Sequence, residues 1–377
     1  MAVIFKYLKG DRTIWLVILF FAIISTLVVF TSLGQIANDT TGGTSGKLLR
    51  HVFFIALGLI VVFFTHKIPY NYFSKLSVLL LWFSIILLVV TLGLNYATNE
   101  ARRWLVLPFG FSIQTSDIAK IALIMYVARI LSNYQEIKAG FKKVIFPLTI
   151  KVLLVCGLIF TQNLSTAILI FGSVLTLMFV GRVKWYNTFG LLLVIVLPTV
   201  MFVSIVLKSE EGSRFFTWKH RIERFMGISE DGNYMQADLS KNIIATAGVF
   251  GKGPGHNTVR YSLPHAYSDF IYAIIIEEYG LLGGLFVLLL YMILLFRAGV
   301  IVKQSPTHFG ALLAFGLAIT LVYQAFINMG VSVGILPITG QPLPLISWGG
   351  TSLIFTSMAI GMILSVSRGQ TAELNRQ

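Results

Sequence analysis

The sequence predicts an all-α protein, a polytopic membrane bundle of about ten transmembrane helices with one large extracytoplasmic loop. Of its 377 residues, 56% are hydrophobic and 12% are charged, about half of the roughly 25% charge found in soluble domains. The mean hydropathy is +0.84. Apolar runs of spanning length recur from one end to the other, so we expect a single transmembrane domain over residues 1–377.

Ten apolar runs are the candidate spanning helices. A helix needs roughly 20 apolar residues to cross a hydrocarbon core of about 30 Å. The first run follows a short basic stretch without a small-residue cleavage site, so we interpret it as a span rather than a removed signal peptide. The runs are 14–34, 50–66, 75–96, 117–133, 144–161, 165–181, 186–207, 270–296, 308–329 and 348–366.

Basic residues occur in every second connection between these runs. Cationic loops face the cytoplasm by the positive-inside rule, so both termini are expected to be cytoplasmic in a multi-pass protein of the cytoplasmic (inner) membrane. The same rule explains the net charge of +14, and we expect no nucleic-acid partner because no basic run is interleaved with exposed aromatics. The basic residues are Lys6, Lys9, Arg12, Lys67, Lys75, Lys138, Lys142, Lys143, Arg182, Lys184, Arg297, Lys303, Arg368 and Arg376.

Two of the remaining, outward-facing connections are unusual. Residues 208–269 form the large loop, in which GVFGKGPG (248–255) is predicted to be a tight turn. It is not a phosphate-binding P-loop, because Gly253 follows Lys252 where Ser or Thr is needed and no strand precedes it. Residues 330–347 are uncharged and rich in Pro and Gly, which predicts a re-entrant outer loop whose Ser347 hydroxyl can bind backbone or substrate.

Three carboxylates stand at the start of the eighth run. Asp269 lies where the large loop enters the membrane; Ser268 or Asp269 could cap the helix, or Asp269 could take a proton from a substrate hydroxyl. Glu277 and Glu278 are costly inside an apolar helix unless they are protonated, paired or beside a cavity. On a continuous helix Glu277 lies about 80° from Asp269, which makes it the expected companion, and Glu278 about 180°. A hydrogen bond to a neighbouring helix is the alternative for both.

Cationic candidates precede and begin the fourth run. Asp117 and Lys120 share one helical face, where they can form an ion pair or leave Lys120 to bind a phosphate. Arg103 and Trp104 lie in the preceding outer connection, where the arginine is either part of a cationic cluster with Lys120 or an ordinary solvated residue.

Several segments together resemble one known family. RRWLVLPFGFSIQTSDIAK, GVFGKGPG, LPHAYSDFIYAIIIEEYGLLGG and NMGVSVGILPITGQPLPLISWGG resemble the SEDS family (FtsW, RodA, SpoVE), most closely the division-type FtsW members of Bacteroidetes-type bacteria. The resemblance implies ten spans, cytoplasmic termini and a peptidoglycan glycosyltransferase that polymerises lipid II. The family's essential acid falls on Asp269, and its Arg-Trp, Gln and Lys positions fall on Arg103, Trp104, Gln114 and Lys120.

The chain departs from the family pattern at two places. Asp117 stands where the family usually has Glu, which keeps the acid but shortens it by one methylene. Asn163 stands where Asp is frequent and has no acidic group, so Asp269 carries more of the chemistry that the resemblance implies.

The resemblance implies an inverting reaction in which Asp269 is the general base and undecaprenyl pyrophosphate leaves. Arg103 and Lys120, or a divalent cation (Mg²⁺ or Mn²⁺), would neutralise the leaving group; no cofactor is certain. Trp104, Gln114, Glu277 and Ser347 are the other expected substrate-binding residues. The implied partners are a class B penicillin-binding protein and other divisome or elongasome membrane proteins. A lipid II flippase and a non-catalytic scaffold that recruits a transpeptidase are the alternatives.

Overall fold

The computed structural model of this chain describes most of the sequence. The described residues are 9–33, 44–94, 104–106, 112–137, 141–184, 190, 192, 235–255 and 266–374. Apart from residues 190 and 192, the seventh predicted span, 186–207, lies outside them, as does most of the large loop, 208–269.

The architecture is the predicted all-α membrane bundle with one small hairpin. The elements in chain order are α1 (Arg12–Leu33), α2 (Thr44–Thr65), α3 (Tyr70–Leu94), β1 (Trp104–Val106), β2 (Ser112–Gln114), α4 (Thr115–Ile137), α5 (Phe141–Phe160), α6 (Leu164–Val180), α7 (Met235–Ala247), α8 (Ala266–Asp269), α9 (Ile271–Gln304), α10 (His308–Ser332) and α11 (Thr351–Leu374). Within the described residues, α1, α2, α3, α9, α10 and α11 are long and apolar enough to cross a membrane, and α5 and α6 are shorter apolar helices.

The helices differ in how much of their surface the bundle covers. α4 and α10 pack against each other in the interior, where α10 also contacts α6, α9 and α11, while α11 packs on α2. α1, α2, α3 and α9 instead expose large apolar side chains, such as Phe64, Leu79 and Phe296. An exposed apolar surface of this extent is stable in lipid and not in water, in agreement with the composition.

The eighth predicted span, 270–296, is not one continuous helix that begins at Asp269. Asp269 ends α8, and Phe270, the N-cap residue of α9, has non-helical angles (φ −118°, ψ 24°) and no side-chain cap. Neither Ser268 nor Asp269 therefore occupies the capping position. A second break follows at Gly280 (φ 70°, ψ −170°), and the helix continues to Gln304. The helical-wheel relation between Asp269 and Glu277 was wrong because it assumed unbroken helical geometry.

The glycine-rich turn 248–255 forms hydrogen bonds with the backbone of α9 on both sides of the break at Gly280. The Lys252 and Gly253 amides donate to the carbonyls of Glu277 and Glu278 (2.8 and 3.0 Å), and the Leu281 amide donates to the carbonyl of Gly248 (3.1 Å). These bonds satisfy backbone groups that an interrupted helix would leave unpaired. The predicted tight turn is confirmed, and its position against α9 is new.

Helix α7 inside the large loop is missing from the sequence-based prediction. Its buried residues Ser240, Ile243 and Ala247 follow helical spacing. They pack toward α9 and α10, and the Ser240 hydroxyl donates to the carbonyl of Ser332 (2.7 Å).

The predicted loop 330–347 is displaced by about one turn of helix. α10 continues to Ser332, and α11 begins only at Thr351, so the non-helical segment is 333–350. Much of this segment is buried, as irregular backbone in a membrane protein requires. Its re-entrant path stays a prediction.

Candidate functional site

A cavity of about 420 Å³ opens where α4 and α9 begin. Three predicted site residues, Asp269, Trp104 and Gln114, line it together. The other lining residues come from α2, the hairpin, α8, the segment 333–350 and α11; they are Arg50, His51, Phe54, Ser112, Ser268, Gly340, Pro342, Trp348, Gly349, Gly350, Thr351 and Ser352.

Asp269 is the carboxylate of this cavity among the described residues. Its side chain is partly exposed, and Oδ1 accepts a hydrogen bond from the Ser268 hydroxyl (3.0 Å). Its backbone carbonyl accepts from Asn328 Nδ2 (2.9 Å), and the carbonyl of Ser268 accepts from the Ser347 hydroxyl (2.7 Å). The backbone is thus fixed by α10 and the segment 333–350, so the carboxylate is held in place at the cavity wall.

The segment 333–350 is itself anchored to two helices. Asn328 Nδ2 also donates to the carbonyl of Gln341 (2.8 Å), and Gln341 Nε2 donates to Thr166 Oγ1 on α6 (2.5 Å). Ser347 Oγ accepts from the Leu343 amide (2.8 Å). Both hydrogen-bonding roles of the Ser347 hydroxyl are therefore used by backbone, and its substrate role stays a prediction.

Trp104 and Gln114 are brought together by the hairpin. They are opposite each other in the antiparallel register of β1 and β2, so their side chains lie on the same face. Gln114 Nε2 donates to Ser116 Oγ (3.0 Å), and the Thr351 hydroxyl fastens the hairpin to α11 by donating to the carbonyl of Ser112 (3.0 Å). Arg103, which precedes Trp104, lies outside the described residues.

Arg50 and His51 are cavity residues that the sequence analysis missed. Ser25 Oγ lies 2.9 Å from His51 Nε2 and donates to the carbonyl of Ile346 (2.8 Å). Because the hydroxyl has one proton, His51 Nε2–H must be the donor to Ser25, and Nδ1 is the acceptor of the neutral ring. The ring stacks on Trp348 at 5.5 Å. The sequence signal that could have identified them is a cation followed by an imidazole, Arg50 and His51, at the start of the apolar run 50–66.

Lys120 lies behind the cavity wall rather than in it. Its Nζ is 3.3 Å from Asp117 Oδ1, which confirms the ion-pair alternative as a contact, and it donates to Gln324 Oε1 (2.7 Å). Gln324 Nε2 in turn donates to the carbonyl of Pro342 (2.9 Å), a lining residue. Lys120 thus reaches the cavity through one intervening amide.

Glu277 faces the large loop and does not line the cavity. Its fully buried carboxylate pairs with Lys252 Nζ (3.0 Å). Glu278 accepts from the Thr31 hydroxyl (3.0 Å) and the Gly255 amide (3.2 Å). Both acids make the polar contacts that burial in an apolar helix requires, and the substrate role of Glu277 stays a prediction.

Asn163 has a structural contact at the position where the family frequently has Asp. It is the N-cap residue of α6, and its side chain accepts from the Thr166 amide (3.4 Å). Thr166 is also the residue that Gln341 binds, so this cap belongs to the anchor of the segment 333–350.

The described residues do not form a protein cage for a metal ion. No group of three or more His, Cys, Asp or Glu side chains comes together in the part of the chain that the structure describes. Asp269 and His51 are the titratable ligands of metal-binding type in the described cavity wall, and a divalent cation would need oxygen atoms from the substrate as further ligands.

Comparisons with known proteins agree with this architecture. The family described as Cell cycle protein (FtsW/RodA/SpoVE) matches residues 11–372. The chain is 30% identical to the probable peptidoglycan glycosyltransferase FtsW of Coxiella burnetii, with 94% of this chain and 95% of that protein covered. It is 31% identical to the stage V sporulation protein E of Bacillus subtilis, with 85% and 86% covered.

Two solved structures share the fold. A chain of a peptidoglycan synthase complex, studied for its coordination of polymerization and crosslinking, superimposes with a TM-score of 0.76 at 25% identity, with 96% of this chain and 98% of that chain covered. The rod shape determining protein RodA of Thermus thermophilus superimposes with a TM-score of 0.66 at 24% identity, with 97% and 99% covered. The chain is an integral membrane protein that belongs to the FtsW/RodA/SpoVE family.

Proposed function

We propose that this protein is a peptidoglycan glycosyltransferase that polymerises lipid II at the outer face of the cytoplasmic membrane, with both termini in the cytoplasm. The observation that carries the proposal is the carboxylate of Asp269, held by fixed backbone at the wall of a 420 Å³ cavity. The family match over residues 11–372 and the FtsW relatives support the reaction type.

The proposed reaction is one displacement with inversion. The 4-hydroxyl of the acceptor sugar attacks the anomeric carbon of the donor, and the bond to undecaprenyl pyrophosphate breaks. Asp269 accepts the hydroxyl proton as general base. Its partial exposure to the cavity suits this role, because a proton acceptor must reach the substrate.

The leaving pyrophosphate requires positive charge. Among the described residues, Arg50 is the cationic side chain that lines the cavity. A guanidinium group can donate two parallel hydrogen bonds to two oxygens of one phosphate. Arg103 remains a proposed contributor. Lys120 acts through Gln324 rather than by direct contact.

The proposal predicts that Asp269→Ala abolishes glycan polymerisation from purified lipid II in detergent. Asp269→Asn, which preserves the size and the hydrogen bond from Ser268, should be equally inactive because an amide cannot serve as a base. Asp11→Asn is the matched control: it removes a buried carboxylate that pairs with Arg297 at the other end of α9. We expect this variant to polymerise normally.

The same assay separates the alternatives. A flippase would form no polymer in detergent, which has no second leaflet, and a scaffold would form none without its partner. Glycan strands made by the Asp269 variants at the rate of the unmodified protein would refute the assignment. Thermal denaturation of each variant distinguishes loss of the base from loss of the fold.

We also propose that the protein works with a class B penicillin-binding protein in cell division or elongation. The similarity to a chain from a synthase complex supports such a partner. Co-purification of the two full-length membrane proteins tests it.

A further inference from the structure

A second cavity, of about 820 Å³, lies at the opposite end of the bundle from Asp269. It is lined by the end of α4 at Tyr134, the end of α6, and the connection between α9 and α10. Gln114, at the Asp269 cavity, is the residue directly before α4, and Tyr134 follows it by 20 residues, a distance of about 30 Å along the helix. The two cavities are therefore separated by about one membrane thickness.

The lining of this second cavity combines basic and apolar side chains. Arg182, Lys184 and His308 supply basic side chains, and no carboxylate occurs among the lining residues that the structure describes. His308 is also the first residue of α10, whose N-terminus adds partial positive charge. The apolar part consists of Val180, Val302, Ala311 and Leu312. This combination fits an amphiphilic anion better than a free one.

Arg182 occupies a backbone position that favours glycine. α6 ends with the Val183 amide bonded to the carbonyl of Met178 (3.1 Å) and the Arg182 amide bonded to that of Phe179 (3.1 Å). This is the Schellman pattern, and the residue in the position of Arg182 adopts left-handed angles and is usually glycine. Arg182 has φ 55°, which is unfavourable for a side chain with a Cβ atom.

The two Schellman hydrogen bonds use backbone atoms that glycine would also provide, so they do not account for an arginine at this strained position. Strained residues that persist are typical of functional sites. What arginine adds over glycine is a guanidinium beside the cavity, which binds phosphate oxygens.

We infer that this cavity binds the phosphate of an anionic phospholipid, with the acyl chains lying along the apolar lining. Its volume lies in the range of ligand sites in proteins. With the orientation proposed above, this end of the bundle faces the cytoplasmic leaflet, where basic pockets between helices attract anionic headgroups. The inference concerns lipid binding and does not depend on the glycosyltransferase reaction.

The test measures lipid binding by the purified full-length protein. Phosphatidylglycerol is titrated into protein in neutral detergent and compared with phosphatidylcholine, with thermal denaturation and native mass spectrometry as readouts. We expect phosphatidylglycerol to be retained and to raise the midpoint of denaturation, since a ligand of the native state stabilises it. Inorganic phosphate at the same concentration should have little effect.

Three variants examine the site. Arg182→Gly should bind phosphatidylglycerol about fivefold more weakly, as expected for one cation at a lipid surface. Without lipid it should be as stable as the unmodified protein or more stable, because the strain is relieved. Arg182→Lys keeps the charge and should retain most of the binding. Lys303→Gln removes one charge from an exposed residue of α9 that does not line the cavity and should bind normally.

Three results would overturn the inference. Equal stabilisation by the two phospholipids would mean that the headgroup charge is not recognised. Equal losses in Arg182→Gly and Lys303→Gln would indicate diffuse surface charge instead of a site. Full stabilisation by inorganic phosphate alone would assign the cavity to a soluble anion.

Discussion

The close crossing of the large loop and α9 makes Gly280→Ala the most informative single substitution. A Cβ atom at Gly280 would lie 2.1 Å from the carbonyl oxygen of Val249 and 2.5 Å from the amide nitrogen of Gly251. Ordinary contact begins at 3.4 Å, so the two backbones must separate by about 1.3 Å. The contacts are with backbone atoms, which cannot rotate out of the way as a side chain would.

This separation breaks the hydrogen bonds that close the gap in α9. There are four such bonds, because the Leu282 amide also donates to the carbonyl of Val249 (3.3 Å), and they are 2.8 to 3.3 Å long. A movement of about 1.3 Å takes each beyond hydrogen-bonding range. At about 1 kcal/mol for each bond, the loss is about 4 kcal/mol. The backbone at Gly280 (φ 70°, ψ −170°) lies in a positive-φ region that is almost exclusive to glycine, which adds about 1 to 3 kcal/mol for alanine. Gly280→Ala should therefore lower thermal stability severely and reduce polymerisation, because the beginning of α9 follows Asp269.

Two glycines provide matched controls for the same change. Gly248 also has positive φ (67°), but its Cβ would meet nothing within 4 Å. Alanine there should therefore lose only the stability that a positive φ costs a residue with a Cβ atom, about 1 to 2 kcal/mol. Gly299 lies within α9 with open space around it, and alanine there should be neutral or stabilising by up to about 1 kcal/mol. The assay is thermal denaturation in detergent. If Gly280→Ala is no less stable than Gly248→Ala, the crossing is not tight and the reasoning is refuted.

Three further substitutions have definite expected outcomes. Asp11→Ala removes the N-cap of α1, whose Oδ1 accepts from the Thr13 amide (2.9 Å), and should lower stability by about 1 kcal/mol relative to Asp11→Asn; equal denaturation midpoints would contradict the cap. His51→Phe keeps an aromatic ring beside Trp348 but removes the Nε2–H donor to Ser25 and Nδ1, which we expect to accept a hydrogen bond from lipid II in the cavity. It should reduce kcat/KM for lipid II about tenfold, the value of one hydrogen bond. Lys120→Met leaves Asp117 buried without its ion-pair partner and should lower the stability of the protein by about 3 kcal/mol or more. The double variant Lys120→Met with Asp117→Asn should recover this stability. If it also recovered full polymerisation, the role of the pair would be purely structural.

The membrane class and most spanning helices were predictable because they depend on local composition. A run of about 20 apolar residues forms a helix in lipid whatever surrounds it, since the helix satisfies all backbone hydrogen bonds within one segment. Ends of helices were less predictable. α4 extends to Ile137, beyond its apolar run, and α10 continues to Ser332 with buried small and polar residues.

The candidate site was predictable only in part, because its members come from distant segments. Trp104 and Gln114 were expected as separate loop residues, but the hairpin that aligns them depends on strand pairing. Arg50 reaches the cavity only through the packing of α2 against α11. The sequence left two partners open for Lys120, a bound phosphate or Asp117. Its direct contacts depend on the position of Gln324 on α10, which one sequence does not show. Such tertiary relations leave no periodic signal in one sequence.

The buried acids of α9 illustrate how burial separates structural from chemical roles. A carboxylate inside a spanning helix is a candidate functional group by default. By that criterion Glu277 and Glu278 are candidates as strong as Asp269, which precedes the helix. Their surroundings differ. Glu277 and Glu278 are fully buried; the ammonium group of Lys252 pairs with Glu277, and the Gly255 amide donates to Glu278. These contacts favour a structural role for both glutamates, in which they hold the large loop on α9. Asp269 alone of the three lines a cavity large enough for a sugar ring. The loop that binds the two glutamates thereby fixes the beginning of the helix beside the proposed base.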